Sequence, residues 1–294
     1  MKKLRFAIFG NSYQAKKSSC IEQLLGILIE RGASLLIDKH FHEYLTGQLG
    51  IVITPDELID GDRFHTDFVI SMGGDGTFLE AARRVGDKGM PILGINTGRL
   101  GFLSDYQAED IISAIDHIYN DTYRIEERTV LMVENEPKSI QGYPYALNEV
   151  AVLKQDNSSM ISIDVEINGE FLTTYQADGL IVNTSTGSTG YALSVGGPII
   201  VPGTKIIGLV PVAPHSLTVR PLTFSADAEI KMKVRSRSHN FLLSVDGRSE
   251  SATEDTIITI KKAPYTINVL KRCEGSFFRT LREKLMWGAD TRER

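Results

Sequence analysis

The sequence has no uninterrupted apolar run that could span a membrane, which takes about 20 residues. Its start, MKKLRFAIFGNSYQAKK, opens with charge and holds only a short apolar segment. No secretory signal is expected there, and LRFAIFG reads as a first buried strand. Cysteine is scarce. Cys20 and Cys273 lie far apart and make neither a CxxC pair nor a metal-ligand spacing. A chain of 294 residues does not need the one disulfide they allow, so a reducing cytoplasm is the expected setting. Positive charge is not in excess: 32 Lys and Arg face 37 Asp and Glu, for a net charge of -5. That argues against a nucleic-acid partner, while a few local donors still suffice for an anionic small ligand. The GxGxxG dinucleotide fingerprint and the GK[ST] close of a Walker A loop are also missing.

What is present is an ordinary globular mixture, 42% apolar and 23% charged, with ample material for a core. At roughly 150 residues per domain the length suggests one large or two ordinary domains. The first part alternates: strands are expected over 4–9, 33–37, 68–72 and 91–95, and helices over 18–31, 77–85 and 109–119. This order implies an α/β domain with a Rossmann-like, mainly parallel sheet. After about residue 126 the pattern turns β-rich. Strands are expected over 162–167, 228–234, 241–245 and 256–261, with turn signals at Asn168-Gly169 and Asp246-Gly247. The tail, 276–287, carries Phe277, Leu281 and Leu285 at helical spacing and reads as a packed helix. The composition places domains at 1–125 and 126–270, with 271–294 as a final helix that packs against another element.

Glycine is unevenly placed. Eight of the 26 glycines fall between Ser71 and Gly101, and seven between Gly179 and Gly208. In the first cluster a strand runs into Gly73-Gly74-Asp75-Gly76-Thr77 and a helix follows. Gly74 and Gly76 can present backbone N–H groups to phosphate, and the helix start adds its positive end. Asp75 is the odd member, because a carboxylate repels phosphate. It fits there as a base that accepts a hydroxyl proton, or as a contact to Mg²⁺ carried on a nucleotide. The plainer reading is a tight turn with Asp75 capping the helix. Thr77 can cap or donate its hydroxyl. The next strand-end loop holds Asn96 and Arg99; in a doubly wound sheet such loops share one crevice. Arg99 is a phosphate fork or a surface cation.

The second cluster holds seven hydroxyl residues between Thr184 and Ser194. Such groups can hydrogen-bond sugars and bases, and Tyr191 can offer a face or a hydroxyl. A surface loop capping a helix at Ser188 or Thr189 is the alternative. Asp178, after Gln176 and before Gly179, suggests a tight turn whose carboxylate can accept ribose or carboxamide hydrogens. Asn148-Glu149 by itself reads as a turn. His215 reads as a loop or core histidine.

Taken together, these segments resemble the NAD kinase family. The matching pieces are GGDGT at 73–77, NTGRLGFL at 96–103, NE at 148–149, ADGLIVNTSTGSTGYALSVGGPI at 177–199, APHSL at 213–217, RP at 220–221 and DG at 246–247. GGDGT alone is shared with lipid and phosphofructokinase-type kinases; the ordered set is far more specific. The resemblance implies an α/β domain, a β-rich sandwich-like domain and a returning final helix, with the ligand between the domains. It implies transfer of the γ-phosphate of ATP, in some members polyphosphate, to the 2′-hydroxyl of the adenosine ribose of NAD. It implies Mg²⁺ with the ATP and a homodimer or homotetramer, without membrane or nucleic acid. Asp75 matches the family's general base and Gly76 a backbone contact beside it. Asn148 and Glu149 match ribose ligands, and Asp178 a contact at the nicotinamide end. Thr189, Gly190, Tyr191, Ala192, Leu193 and Ser194 match the adenosine-binding run, with Thr186 a further nucleotide-binding candidate. The family's usual Thr-Ala-Tyr is Thr189-Gly190-Tyr191 here, which suggests slightly looser packing. Gln176 stands where many bacterial relatives are basic, and Arg248 is a candidate replacement charge. The rival readings are a lipid kinase with the same GGDGT loop and a non-catalytic NAD-binding regulator.

Overall fold

The structure, a computed structural model, describes residues 2–11, 18–98, 101–137, 142–156 and 159–288. The chain forms two compact units, one of Met1–Glu127 with Ile267–Arg294 and one of Arg128–Thr266.

The first unit opens with β1 (Arg5–Gly10), α1 (Ser18–Glu30), β2 (Ser34–Asp38), α2 (Lys39–Gly47) and β3 (Glu57–Ile59). It continues with β4 (Phe68–Gly73), α3 (Asp75–Val85), β5 (Ile92–Asn96), β6 (Tyr106–Gln107) and α4 (Ile111–Tyr119). The strands pair in parallel in the order β5-β4-β1-β2-β3. β6 lies beside β5, and Val269 from the far end of the chain also pairs with Ile92 of β5. β4 and β5 are buried along their whole length rather than at alternate positions. That is the pattern of strands covered on both faces. Ile21, Leu24, Leu25 and Leu28 of α1 recur at helical spacing and join Ile111, Ala114, Ile115 and Ile118 of α4 in one core.

Each expected strand of this unit is present, within about one residue of its expected position. Two helices differ in their starts. α3 begins at Asp75, two residues earlier than expected, because Gly74 takes the cap position. α4 begins at Ile111, with a 3-10 turn over Ala108–Asp110 ahead of it. α2 was not expected. Its nine residues are polar apart from Phe41, Tyr44 and Leu45, which are buried, and the Asp38 carboxylate caps it by accepting from the Phe41 N–H at 3.1 Å.

The second unit takes over within β7 (Tyr123–Glu136) and continues through β8 (Tyr145–Ala146), β9 (Glu149–Lys154), β10 (Ile161–Ile167), β11 (Glu170–Ala177) and β12 (Gly179–Thr184). A single turn of helix, α5 (Tyr191–Ser194), follows. Then come β13 (Ile206–Val212), β14 (Leu222–Ser225), β15 (Ile230–Arg235), β16 (Asn240–Val245), β17 (Arg248–Thr253) and β18 (Ile257–Arg272). One antiparallel sheet has the order β14-β13-β12-β9-β16-β17. A second runs β11-β10-β15 and on to the first residues of β18. Val152, Val182 and Phe241 of the first sheet share one apolar core with Ile163, Met232 and Ile258 of the second. This is the sandwich-like β domain that the sequence implied. Asn168-Gly169 and Asp246-Gly247 both have positive φ, as two-residue hairpin turns require.

The strand expected over 256–261 is much longer. β18 runs to Arg272, so its last residues belong to the first unit, and α6 (Phe277–Leu285) follows there. Leu281 is the buried member of the expected stripe.

Candidate active site

In the first unit the GGDGT turn joins the buried end of β4 to α3. Asp75 is the first residue of that helix, and its carboxylate is not used as a cap. It is instead clasped by the next strand-end loop: Phe102 N–H donates to Oδ2 at 2.9 Å and Leu103 N–H to Oδ1 at 3.2 Å. Gly101 permits this approach, since a Cβ there would lie 2.5 Å from Oδ1. Asn96 sits in register with Gly73, and its Oδ1 accepts from Gly98 N–H at 2.9 Å, which shapes the same loop. The two loops therefore meet, as expected of adjacent strand ends in a parallel sheet. Arg99 lies outside the described residues. Thr77 is inside the helix rather than at its cap, with its N–H bonded to Gly74 O at 3.1 Å.

A cavity of about 460 Å³ opens against this turn, lined by Gly74, Gly76, Thr77, Glu80, Asn11 and Arg84 among others. Sequence reasoning passed over Arg84. It is nearly buried and pairs with Asp62 at 2.7 Å and Asp38 at 3.3 Å, so it fixes the wall of the cavity. Its spacing within α3 looks like that of any surface arginine.

In the second unit, Asn148 and Glu149 form the entry to β9, and their position is set by Asp246. That carboxylate accepts from the N–H groups of Leu147 at 2.7 Å, Asn148 at 2.8 Å and Glu149 at 3.1 Å. The Asp246 N–H returns a bond to Glu149 O at 3.0 Å. The DG hairpin and the NE pair are thus one bonded assembly, joined across about 100 residues of sequence. Burial, with Asp246 second, pushes the Glu149 carboxyl up to about 7, and a bond from the Tyr191 N–H opposes this. Burial likewise raises Asp246, against its three amide donors. Glu149 Oε2 and Asn148 Oδ1 are buried without a hydrogen-bond partner among the described residues, so two acceptors are open to hydroxyl donors.

The STGSTGY segment is not a surface loop. Thr184, Ser185, Thr186 and Ser188 are all buried. Thr184 Oγ1 donates to Leu147 O at 2.6 Å and accepts from Gly187 N–H at 3.0 Å, which ties the segment to the NE entry. Ser188 Oγ donates to Ser185 O at 2.8 Å, and Thr186 Oγ1 accepts from Arg128 at 3.2 Å. Thr189 and Ser194 hydroxyls return to the carbonyls of Thr186 and Tyr191. Ala192 is fully buried against Ile181 and Val210, Leu193 is half-buried, and Tyr191 is exposed. At Gly190 a methyl would lie 2.9 Å from Glu149 Oε2. The glycine therefore leaves room for that carboxylate, which is a more specific consequence than looser packing.

Asp178 lies between β11 and β12. Its carboxylate pairs with Lys154 at 2.7 Å, a cation that sequence reasoning did not single out. Gln176 is exposed, and its carbonyl accepts from the His215 N–H at 2.9 Å. Arg248 donates to the carbonyls of Tyr143 and Tyr145, both at 2.9 Å, and to Val245 O at 3.1 Å, and it lies over the Tyr143 ring. Its guanidinium thus braces the β16–β17 hairpin.

Comparison with known proteins bears on both units. A family model described as the ATP-NAD kinase N-terminal domain matches residues 6–123, and one described as the ATP-NAD kinase C-terminal domain matches 147–272. The chain is 56% identical to a protein named NAD kinase from Bacteroides fragilis, over 98% of this chain and 100% of that one. It is 41% identical to a protein of the same name from Flavobacterium psychrophilum, again over 98% and 100%. Among solved structures, an NAD kinase from Archaeoglobus fulgidus in complex with ATP superposes with a TM-score of 0.72 at 26% identity, over 96% of this chain and 99% of that one. Yeast NADH kinase complexed with NADH superposes with a TM-score of 0.89 at 23% identity, over 99% and 89%, and shares the fold.

Proposed function

The chain belongs to the NAD kinase family, and from that premise we propose how its residues carry out ATP-dependent phosphorylation of NAD to NADP. The full-length identity to named NAD kinases carries the choice of reaction over a lipid kinase or a non-catalytic NAD-binding protein.

Asp75 is the general base. Its carboxylate accepts the proton of the adenosine-ribose 2′-hydroxyl as that oxygen forms its bond to the γ-phosphorus, and the bond to the ADP oxygen breaks. What supports this role is that the carboxylate heads α3 without capping it, held in place by two amides of the neighbouring loop. The N–H groups of the turn at Gly74 and Gly76 and the Thr77 hydroxyl serve the phosphate oxygens, with Asn96 shaping the loop beside them and Arg99 as an added cation. Mg²⁺ bound to the triphosphate would supply charge neutralisation. The phosphate oxygens are its expected ligands.

Asn148 and Glu149 take the ribose hydroxyls with their open acceptors. The run from Thr186 to Ser194 holds the adenosine, with Tyr191 and Gly190 at the ligand and Ala192 and Ser188 as its packed support. Asp178, oriented by Lys154, takes the nicotinamide end, and Gln176 contributes an uncharged contact. Arg248 acts through the hairpin rather than as a free charge. We extend the proposal to a cytoplasmic homodimer or homotetramer. Among the described residues no helix is long and apolar enough to cross a membrane.

The test is direct. The purified protein is incubated with Mg-ATP and NAD, and NADP is read with an NADP-specific dehydrogenase. NADP formation is expected; its absence, with phosphorylation of a diacylglycerol or sphingosine instead, would move the chain to the lipid-kinase reading. Polyphosphate in place of ATP, and NADH in place of NAD, define the substrate range. Light scattering reads the oligomer.

A further inference from the structure

A carboxylate at the phosphate turn poses an electrostatic problem, because Asp75 repels the group it is meant to serve. The last helix of the chain holds a cation that bears on it. Lys284 of α6 extends over the ring of Phe102, with Nζ 5.7 Å from the ring centroid. Phe102 is the residue whose N–H holds Asp75. The Lys284 ammonium is buried and has no hydrogen-bond partner among the described residues. Burial pulls its pKa below the ordinary lysine range, against the attraction of Asp75 first, then Asp105 and Glu283.

Two of those three carboxylates have cations of their own. Asp105 is paired with Lys271 at 2.6 Å, and Glu283 with Arg279 at 3.2 Å. Asp75 has only the two backbone donors among the described residues. Burying an ammonium without a partner is unfavourable, so its presence beside the loop that holds Asp75 calls for an anion.

We propose that Lys284 is a positioning residue for phosphoryl transfer: it offsets the charge of Asp75, so that the anionic triphosphate can approach the GGDG turn. This rests on the reading of Asp75 as the base that faces the transferred phosphoryl group. The role differs from that of a structural ion pair in what it predicts. A structural pair would lose stability when neutralised. A cation held in place for a ligand loses ATP affinity and rate, while the fold keeps or gains stability because a buried charge is removed.

The experiment compares K284M, K284Q and K284R with the wild-type enzyme. The equilibrium Kd for ATP and for NAD is measured by calorimetry, kcat is measured at saturating substrates, and the thermal midpoint is recorded. For K284M and K284Q the expected results are a loss of ATP affinity or kcat of roughly 10- to 100-fold, unchanged NAD affinity, and an unchanged or higher midpoint. K284R should restore ATP affinity. Unchanged ATP affinity and rate in both neutral variants would overturn the proposal, as would a lowered midpoint with activity intact. If K284M does not fold, K284Q carries the same readings at conserved length and polarity. If neither folds, Lys284 is a structural cation and the proposal fails. The Asp75→Asn protein separates this from the underlying reading: near-normal turnover there removes Asp75 as the base, whereas the effect of Lys284 on ATP affinity is read without turnover.

Discussion

At the scale of single residues, the site is defined by polar groups placed where an ordinary fold would not keep them. Glu149 is the strongest case. Its carboxyl is raised to about 7 by burial, with a smaller push from Asp246. An acid raised in the folded state binds its proton more tightly there than in the unfolded chain. Its contribution is most favourable below the unfolded value near 4.5, declines as pH rises through 7, and is flat above that. E149Q should therefore raise the thermal midpoint at pH 8 and change it little at pH 4, while the KM for NAD rises. A midpoint that falls at pH 8 would contradict the burial argument. Asp178 makes a second residue-level prediction: D178A should raise the KM for NAD with little change in kcat, because the side chain is assigned to the nicotinamide end, away from the reacting hydroxyl. Steady-state kinetics at saturating ATP checks it. At this scale the sequence was informative about residue identity and silent about attachment. Asp75 stands out by motif, and Asn148 and Glu149 only through the family resemblance. That Asp75 is held by Phe102 and Leu103, or that Lys154 pairs with Asp178, depends on contacts between distant segments that no local spacing encodes.

At the scale of elements, the parallel strands were readable because their apolar runs are continuous and end in glycine turns. β4 into GGDGT and β5 into Asn96 are the clearest examples. α2 was missed because its apolar residues are few and its start depends on the Asp38 cap. β18 is expected over six residues and spans sixteen, since the stretch after Lys261 mixes Lys262, Asn268, Lys271 and Arg272 with apolar positions and shows no clean alternation. β9 and β12, which frame the candidate site residues of the second unit, are short buried strands in a stretch where loop composition dominates. The assembly of the DG hairpin with the NE entry is testable as an element. D246A leaves three backbone N–H groups without their acceptor. At roughly 1 to 3 kcal/mol for each buried donor left unpaired, the loss should be several kcal/mol. The urea midpoint should fall and the KM for NAD should rise together. A stable protein with normal NAD kinetics would show that the hairpin does not hold the pair.

At the scale of the whole molecule, two cores are built from one chain, and the first cannot be completed until the last segment has been made. Leu270 is almost fully buried in the core that contains Phe6, Ile8 and Leu93. Val269 supplies the pairing to β5, and Lys271 the bond to Asp105. L270A should cost about 2 to 5 kcal/mol by cavity formation in the first unit, read as a lowered calorimetric transition. That division was only partly visible from composition, because the change from α/β to β-rich sequence marks the way into the second unit and nothing comparable marks the way back along β18. The returning segment matters for function because it brings α6, and with it Lys284, to the unit that carries the phosphate turn. The proposed chemistry runs through Asp75 at this turn. Turnover and NAD affinity measured on one and the same Asp75→Asn protein decide it. The expected kcat is lower by about 10²- to 10⁴-fold, the usual contribution of a positioned base, with NAD affinity little changed. Near-normal turnover in that protein would contradict it.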